Sequence, residues 1–333
     1  MPQVIAYLVL LLPILSINWE IAQHHSARRA RYWLDGLSLL LAFLALSVLL
    51  SPFVPRSDGR SPQVVGAGLL GVVGLAGALA GLALGRSARW RELLRQYLGA
   101  HYDPSSALHS LALVYACLAS FVSLNNTLSV GGVEGVAQNI AEMPSDLSGF
   151  WLNLVLYLSV ACCGVGLGIR RSWQASLTRL GLDALNWKQV ALGLGYGVAL
   201  YGFMISAVML WQSLVDPQIY SQQTQASQAL FEQVSRNSSL LWAGLVLALT
   251  ASVGEEILFR GAVQPVFGVP LTSVFFVFLH VQYAFTPATL ILWVVSMVLG
   301  WLRWRYNTLT AISAHFIYNF LPFMVLALAE GRL

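Results

Sequence analysis

The chain has 333 residues, of which 57% are hydrophobic and only 10% are charged, and its mean hydropathy is +0.70. This composition excludes a soluble globular domain, because apolar runs of such length are typical of segments buried in lipid. The runs show no strand-like alternation, so they predict an all-α, polytopic bundle of transmembrane helices. The net charge of +4 does not indicate a nucleic-acid partner, since the basic residues fall in short loops between the apolar runs.

Ten apolar segments follow one another along the chain, and each predicts a membrane helix. The eighth and ninth are short for a full crossing of about 20 residues, so we expect them to be tilted or packed inside the bundle. The approximate bounds of the ten segments are 3–19, 36–53, 64–84, 107–124, 149–168, 190–211, 239–260, 270–283, 288–302 and 308–328.

The distribution of Lys and Arg predicts the orientation of the bundle. Fourteen of the 18 basic residues fall in alternate loops, which the positive-inside rule places in the cytoplasm, with both termini outside. These fourteen are Arg28, Arg29, Arg31, Arg86, Arg89, Arg91, Arg95, Arg170, Arg171, Arg179, Lys188, Arg260, Arg303 and Arg305. The four that remain for the opposite side are Arg56, Arg60, Arg236 and Arg332.

Two polar connections have the composition of helices at the membrane interface. Residues 85–101 place Trp90, Leu94 and Tyr97 among arginines, a pattern typical of a helix lying along the anionic cytoplasmic leaflet. Residues 212–238, on the outer side, combine glutamines with apolar residues. This pattern fits a short amphipathic helix and a solvated connection equally well.

The end of the seventh segment places three charged side chains, Glu255, Glu256 and Arg260, where hydrocarbon is predicted. An ionisable group at that depth costs about 2–3 kcal/mol, so it indicates a functional site. Glu256 and Arg260 are four residues apart and share a helix face, whereas Glu255 points about 100° away from Glu256. Glu255 therefore needs a partner from elsewhere, and the C-terminal third offers His280 and His315.

Three ionisable groups are predicted to lie at one depth. If Arg260–Gln264 marks the cytoplasmic edge, Glu255 lies about 7–13 Å deep, and His280 and His315 lie about 15 Å and 12 Å deep, at 1.5 Å per residue. Asn319 follows His315 by one turn on the same face. A carboxylate, two imidazoles and a carboxamide can supply the base, the water positioner and the oxyanion donors of a hydrolytic site.

Three motifs carry a family resemblance, namely Glu255-Glu256-x-x-x-Arg260, Phe276-x-x-x-His280 and His315-x-x-x-Asn319. In this order and spacing they resemble the motifs of the CPBP family. These are intramembrane endopeptidases that include the Ras-converting type of CAAX prenyl protease and bacteriocin-immunity-type proteins. The resemblance covers about residues 190–329, which we interpret as the catalytic core, and it leaves residues 1–189 as transmembrane helices of unassigned role.

The resemblance implies a glutamate-dependent mechanism, and we expect it to work without a cofactor, although the resemblance alone does not exclude a metal. In such a mechanism Glu255 and His280 activate a water molecule, while His315 and Asn319 stabilise the oxyanion, and the Glu256–Arg260 pair supports the site. The resemblance also implies a chamber open to the cytoplasmic leaflet and a membrane-associated peptide or protein as substrate. We therefore expect a multi-pass protein of the cytoplasmic membrane, in a bacterium, with the bilayer as its surroundings and no nucleic-acid partner.

Three alternatives stay open on the sequence. A zinc-dependent protease would use Glu255, His280 and His315, because catalytic zinc takes about three protein ligands and keeps one open position, although an H-E-x-x-H motif is absent. Buried Glu and His pairs also occur in transporters and proton relays. A non-catalytic scaffold of the immunity type would share the fold. The sequence determines neither the oligomeric state nor whether the substrate is prenylated.

Overall fold

A computed structural model describes residues 2–23, 28–53, 64–98, 101–143, 147–182, 186–236, 239–283 and 286–331. Within these ranges the regular structure is helical, and the only β contact is an isolated bridge between Leu167 and Arg171. The predicted all-α bundle is therefore confirmed. Three of the basic residues assigned to the outer side, Arg56, Arg60 and Arg332, lie outside the described ranges.

The described helices are α1 (Pro2–Ala22), α2 (Arg28–Leu50), α3 (Val64–Arg86), α4 (Ala88–Leu98), α5 (Ala107–Ser129), α6 (Val133–Glu142), α7 (Ser148–Val165), α8 (Trp173–Leu180), α9 (Trp187–Leu214), α10 (Pro217–Ser235), α11 (Leu240–Glu255), α12 (Gln264–Phe278), α13 (Ala288–Arg305) and α14 (Thr308–Ala329). A π-helix, Glu256–Val263, joins α11 to α12. Short 3₁₀ turns lie at Ser51–Phe53 and Val281–Tyr283.

Eight helical stretches in the described chain are long and apolar enough to cross a membrane, and Leu10–Ala22 is a shorter apolar helix. The chain is therefore an integral, multi-pass membrane protein. The eight stretches are Arg29–Leu50, Gly66–Arg86, Ala107–Ser129, Ser148–Val165, Trp187–Leu214, Leu240–Phe278, Ala288–Arg305 and Thr308–Ala329.

The seventh and eighth predicted segments are two limbs of one helical stretch, Leu240–Phe278. A straight helix would place Phe259 and Phe276 about 25 Å apart, yet their ring centroids are 5.2 Å apart. The chain must therefore fold back between them. It does so at Gly268, whose φ of 73° and ψ of 173° are not helical. Glycine adopts this positive φ without the steric cost that a Cβ would bring.

The assignment of Arg260 to a cytoplasmic loop is wrong, whereas the depth of the Arg260–Gln264 edge in the membrane stays a prediction. The side chain of Arg260 is 0% exposed, and Gln264 is also buried, where its Nε2 donates to the Gly300 carbonyl at 2.8 Å. The sequence pattern suggested a loop because a charged residue ended the apolar run, but that charge is neutralised inside the bundle. Thirteen of the fourteen basic residues assigned to cytoplasmic loops keep that assignment as a prediction.

Two glycines of α9 let that helix lie directly against α14. A Cβ added at Gly193 would come within 2.5 Å of the Thr310 carbonyl oxygen and 2.8 Å of the Ser313 Cβ. One turn later, a Cβ at Gly197 would collide with the Ala314 carbonyl. Small residues spaced by four allow such close backbone approach in membranes. This contact holds the part of α14 that leads to the predicted site.

The N-terminal helices pack against the C-terminal ones instead of forming a separate body. On α1, buried Asn18 donates from Nδ2 to the Cys163 carbonyl of α7 at 2.8 Å. On α7, Tyr157 lies so close to Gly254 of α11 that an added Cβ would be 3.0 Å from its ring. The boundary predicted near residue 190 remains a prediction, and it does not coincide with a gap in packing.

Both polar connections contain helices. α10 lies within residues 212–238 and packs on α6 through the buried residues Val136, Ile140 and Ala226, which favours the amphipathic helix over the solvated connection. α4 has no buried residue, and its Trp90 and Tyr97 are exposed. An exposed basic helix with aromatic side chains fits the predicted position on an anionic leaflet.

We expect Arg95→Cys, on α4, to react with a membrane-impermeant maleimide only after the cytoplasmic face is opened. Gln218→Cys, at the start of α10, should react in intact cells, because the positive-inside rule places the two sites on opposite sides. The background should carry alanine at Cys117, Cys162 and Cys163. Labelling of Arg95→Cys in intact cells would overturn the orientation.

Candidate active site

The two adjacent glutamates lie where α11 changes into the π-helix. Glu255 is the last residue of α11, and Glu256 is the first residue of the π-helix. A π-helix is rare, and a single wide turn of this kind occurs frequently at functional sites. Successive side chains of a helix point about 100° apart, and here Glu255 and Glu256 contact different histidines.

Glu256 is buried between two cations or potential cations from different helices. Its Oε2 lies 3.1 Å from Arg260 Nε, and both side chains are 0% exposed. Its Oε1 accepts a hydrogen bond from His315 Nδ1 at 2.9 Å. The predicted Glu256–Arg260 pair is confirmed. The bond to His315 was not predicted, because the sequence indicated His315 as a partner for Glu255, an oxyanion donor or a zinc ligand.

Arg260 is also held by α13 and by an aromatic ring. Its Nη2 donates to the Ser296 carbonyl at 3.2 Å and contacts the Ser296 Oγ at 3.0 Å. Its guanidinium carbon lies 4.6 Å from the centroid of the Phe276 ring. A guanidinium in this position is attracted to the ring face. Sequence reasoning missed Ser296, since one serine in an apolar segment gives no signal of a long-range contact.

Glu255 faces His280 across a short gap. Glu255 Oε2 lies 3.8 Å from His280 Nε2, with side-chain exposures of 13% and 17% respectively. This distance is too long for a direct hydrogen bond, and a water molecule is the usual bridge for such a gap. The Glu255 Oε2 is buried and has no hydrogen-bond partner among the described residues.

The position of His280 differs from the prediction, because α12 ends at Phe278 and leaves His280 just beyond the helix. Its Nδ1 is 2.8 Å from the Phe276 carbonyl. A carbonyl can only accept, so this contact requires a proton on Nδ1 and leaves the lone pair of a neutral ring on Nε2. The ring therefore presents an acceptor to Glu255.

Phe276 is the common neighbour of the site. Its ring centroid is 4.5 Å from that of His280 and 6.2 Å from that of His315. Tyr283 lies nearly parallel to the His280 ring, with centroids 6.3 Å apart. Burial raises the pKa of the Tyr283 hydroxyl, which therefore stays protonated at neutral pH. The motif spacing pointed to Phe276, whereas the role of Tyr283 as a neighbour was missed.

Asn319 lies one turn beyond His315 on α14, as the spacing predicts. Within the described residues its side chain takes no part in either of the two glutamate–histidine contacts. It is partly exposed. The structure thus brings Glu256 together with His315, and Glu255 together with His280, and it leaves the carboxamide of Asn319 available for another group.

The three residues considered as zinc ligands do not form a ready three-ligand site. Among the described residues, no group of three or more His, Cys, Asp and Glu side chains is placed to hold a metal ion. The Nδ1 of His315 is bonded to Glu256, while Glu255 faces His280. The zinc alternative stays a prediction, and the chelator experiment below tests it directly.

Comparison with known families gives a match at this point of the chain. Residues 237–321 match the model of a family described as Rce1-like, type II CAAX prenyl endopeptidase Rce1-like. This segment is an Rce1-like domain. The predicted resemblance to CAAX-type proteases of the CPBP family is therefore confirmed, and the family supports a CAAX-type intramembrane protease. A search of the curated proteins and a search of the solved structures each found no match.

The Rce1-like domain contains all six residues of the predicted site, which are Glu255, Glu256, Arg260, His280, His315 and Asn319. The contacts between them join α11, the π-helix, the end of α12 and α14. The match does not extend to Gly193 or Gly197 of α9. Those glycines nevertheless hold α14 in place, so the packing that positions the domain reaches beyond the matched segment.

We expect Glu256→Gln and Arg260→Gln each to lower thermal stability strongly. Breaking a buried ion pair leaves one charge without a partner and costs roughly 3–5 kcal/mol. The double variant should lose less thermal stability than the sum of the losses in the two single variants, because neither charge of the pair remains. The measurement is a thermal unfolding series on detergent-solubilised protein.

The matched control for this series is the exposed pair Arg95–Glu92, whose charged atoms are 3.3 Å apart. Both side chains are about half exposed, at 52% and 53%. Exposed pairs contribute little, so Arg95→Gln and Glu92→Gln should be mild and nearly additive. Strict additivity at Glu256 and Arg260 would contradict a direct buried pair.

Proposed function

We propose that the protein is an intramembrane endopeptidase that hydrolyses peptide bonds with water activated by Glu255. The observation that carries this proposal is the 3.8 Å gap between Glu255 Oε2 and His280 Nε2. The carboxylate oxygen there is buried and lacks a protein partner among the described residues. A water molecule in this gap would satisfy both groups.

The tautomer of His280 determines how that water would be oriented. Because Nδ1 donates to the Phe276 carbonyl, Nε2 of the neutral ring accepts. An ionised Glu255 also accepts. A bridging water then donates one hydrogen to each, and its lone pairs point away from both. This arrangement directs the nucleophilic oxygen toward a substrate carbonyl placed on the open side of the gap.

In the proposed reaction the water oxygen attacks the peptide carbonyl carbon while Glu255 takes a proton from the water. The carbonyl π electrons move to oxygen, which becomes the oxyanion of a tetrahedral intermediate. When the intermediate collapses, the C–N bond breaks, and the leaving nitrogen receives the proton held by Glu255. The carboxylate is thereby restored, and the products are a carboxylic acid and an amine.

His315 and Asn319 are proposed to stabilise the oxyanion. Glu256 accepts the Nδ1 proton of His315, so the ring is oriented with Nε2 pointing away from the carboxylate. A protonated His315 would donate from Nε2. Its charge, with that of Arg260, would then offset the two glutamates. The Asn319 carboxamide, one turn away on α14, supplies a second donor.

The substrate is proposed to be a membrane-associated peptide or protein, cleaved near the cytoplasmic leaflet. The basic residues Arg179 and Arg303 lie against the end of the π-helix, and the positive-inside rule places such residues on the cytoplasmic side. Glu255 lies about 9 Å from Gly261 along the helix, and this short separation supports a site near that face. Whether the substrate is prenylated, as the family description states for its members, is decided by the comparison described next.

We expect Glu255→Gln to abolish cleavage while leaving the fold intact, because it removes the base without changing the shape of the side chain. Membranes and secreted peptides from cells with the wild-type protein should contain fragments that the variant lacks. Prenylated and unmodified substrates can be separated in the same samples. Glu232→Gln, which changes an exposed glutamate of α10, is the control. Undiminished cleavage by the Glu255→Gln variant would contradict the proposed function.

Asn319→Ala should lower the rate about 100- to 1,000-fold with little effect on substrate binding, since an oxyanion donor acts mainly in the transition state. Asn153→Ala, at an exposed position of α7, serves as control. A strong chelator should leave the wild-type rate unchanged. Loss of activity in the chelator and its recovery with zinc would instead establish the metal-dependent alternative with Glu255, His280 and His315.

A further inference from the structure

The end of the π-helix lacks a backbone donor. The Gln264 N–H bonds to the Phe259 carbonyl, five residues earlier. The next residue is Pro265, which has no N–H. An N–H at position 265 would have donated to the Arg260 carbonyl in the five-residue register. In the α-helical register it would have donated to the Gly261 carbonyl. Pro265 therefore removes the backbone donor of one of these two carbonyls inside the packed bundle, where water is scarce.

Two arginines from other helices donate to the carbonyls at this end of the π-helix. Arg303 of α13 donates from Nε to the Arg260 carbonyl at 3.3 Å. Arg179 of α8 donates from Nη1 to the Gly261 carbonyl at 2.8 Å and from Nη2 to the Ala262 carbonyl at 3.3 Å. Charged donors make hydrogen bonds about twice as strong as neutral ones. The carbonyls of Arg260, Gly261 and Ala262 are thus held by guanidinium groups.

The end of α8 also touches α14. The Thr308 hydroxyl donates to the Leu180 carbonyl at 2.5 Å, and the Thr308 N–H donates to the Gly181 carbonyl at 3.2 Å. Thr308 is the first residue of α14 and lies two turns before His315. The same short segment of α8 therefore contacts both the π-helix and the helix that carries His315.

Close packing leaves little freedom at this joint. A Cβ added at Gly261 would lie 3.0 Å from the Leu180 carbonyl oxygen. Gly181, with φ of 70°, brings its backbone against the Arg303 guanidinium, where an added Cβ would be 2.6 Å away. Burial, helped by neighbouring arginines, lowers the pKa of Arg179 to about 10, so the side chain remains charged at neutral pH.

We propose that Arg179 and Arg303 are positioning residues, which replace the donor that Pro265 removes and hold the π-helix in the register that directs Glu255 to His280. The inference rests on the proposed function for its catalytic consequence. It also assigns a role to part of the N-terminal region, because Arg179 lies outside the Rce1-like segment 237–321. The two residues act through the backbone and do not touch the substrate.

The test is a double-mutant cycle between Arg179→Gln and Pro265→Ala in the full chain. We expect Arg179→Gln to lower kcat by about 10- to 100-fold with KM nearly unchanged, because a misplacement of about 1 Å at a catalytic group can cost 100-fold. Pro265→Ala restores the backbone N–H. In the Pro265→Ala background, Arg179→Gln should lower kcat less than about 3-fold. This coupling between the two substitutions distinguishes donor replacement from general destabilisation.

Arg170→Gln is the matched control, since Arg170 is a partly buried arginine of the same region whose Nε bonds Asn18 and not the π-helix. Its effect should be the same with Pro265 and with Pro265→Ala. Arg179→Lys, which keeps a charged donor, should recover most of the activity lost in Arg179→Gln. An equal loss from Arg179→Gln in both backgrounds would overturn the inference.

A second readout does not depend on catalysis. Hydrogen–deuterium exchange of the peptide covering residues 256–267 should be faster in Arg179→Gln than in wild type, and unchanged in Arg170→Gln. Unchanged exchange in Arg179→Gln would contradict the positioning role, whatever the activity. Cleavage that persists in Glu255→Gln would instead contradict the proposed function alone. If Arg179→Gln yields no folded protein, recovery of the double variant with Pro265→Ala supports the inference, and failure to recover contradicts it.

Discussion

The buried carboxylate of Glu256 is the interaction on which the arrangement of the motif helices depends. A charge taken out of water is tolerated only when it is paired and hydrogen-bonded. Glu256 has two oxygens, and the structure directs one to Arg260 on the same helix and the other to His315 on α14. Arg260 in turn contacts Ser296 on α13. The ion pair of Glu256 and Arg260 therefore connects three helices, and a shift of the π-helix or α14 would weaken the contacts of a buried charge.

The two adjacent glutamates have different surroundings. Glu256 has no exposed surface and its charge is used for structure. Glu255, one residue earlier, keeps a partly exposed side chain and a buried oxygen with no described hydrogen-bond partner opposite His280. Two carboxylates of the same intrinsic chemistry thus have different partners and different exposure. Consecutive side chains of a helix point in different directions, and here they reach partners on different elements.

A broken helix inside a membrane needs substitutes for the backbone bonds that it loses. Here the breaks are close together: the π-helix, Pro265 and the reversal at Gly268 occur within a few residues. Arginine side chains from α8 and α13 donate to the carbonyls at the end of the π-helix. The fold therefore gives a structural use to basic residues that the charge pattern alone assigned only to topology.

The sequence by itself determined what depends on local composition and spacing. Apolar runs predicted the membrane helices, and a four-residue spacing predicted the ion pair of Glu256 with Arg260, because both are properties of a single helix. The tertiary structure decided the partners that come from distant parts of the chain. His315 bonds Glu256, and Arg179 reaches a carbonyl 82 residues away at Gly261. Hydropathy and spacing do not predict such contacts. The contacts arise only when the chain folds back and helices from both halves pack against one another.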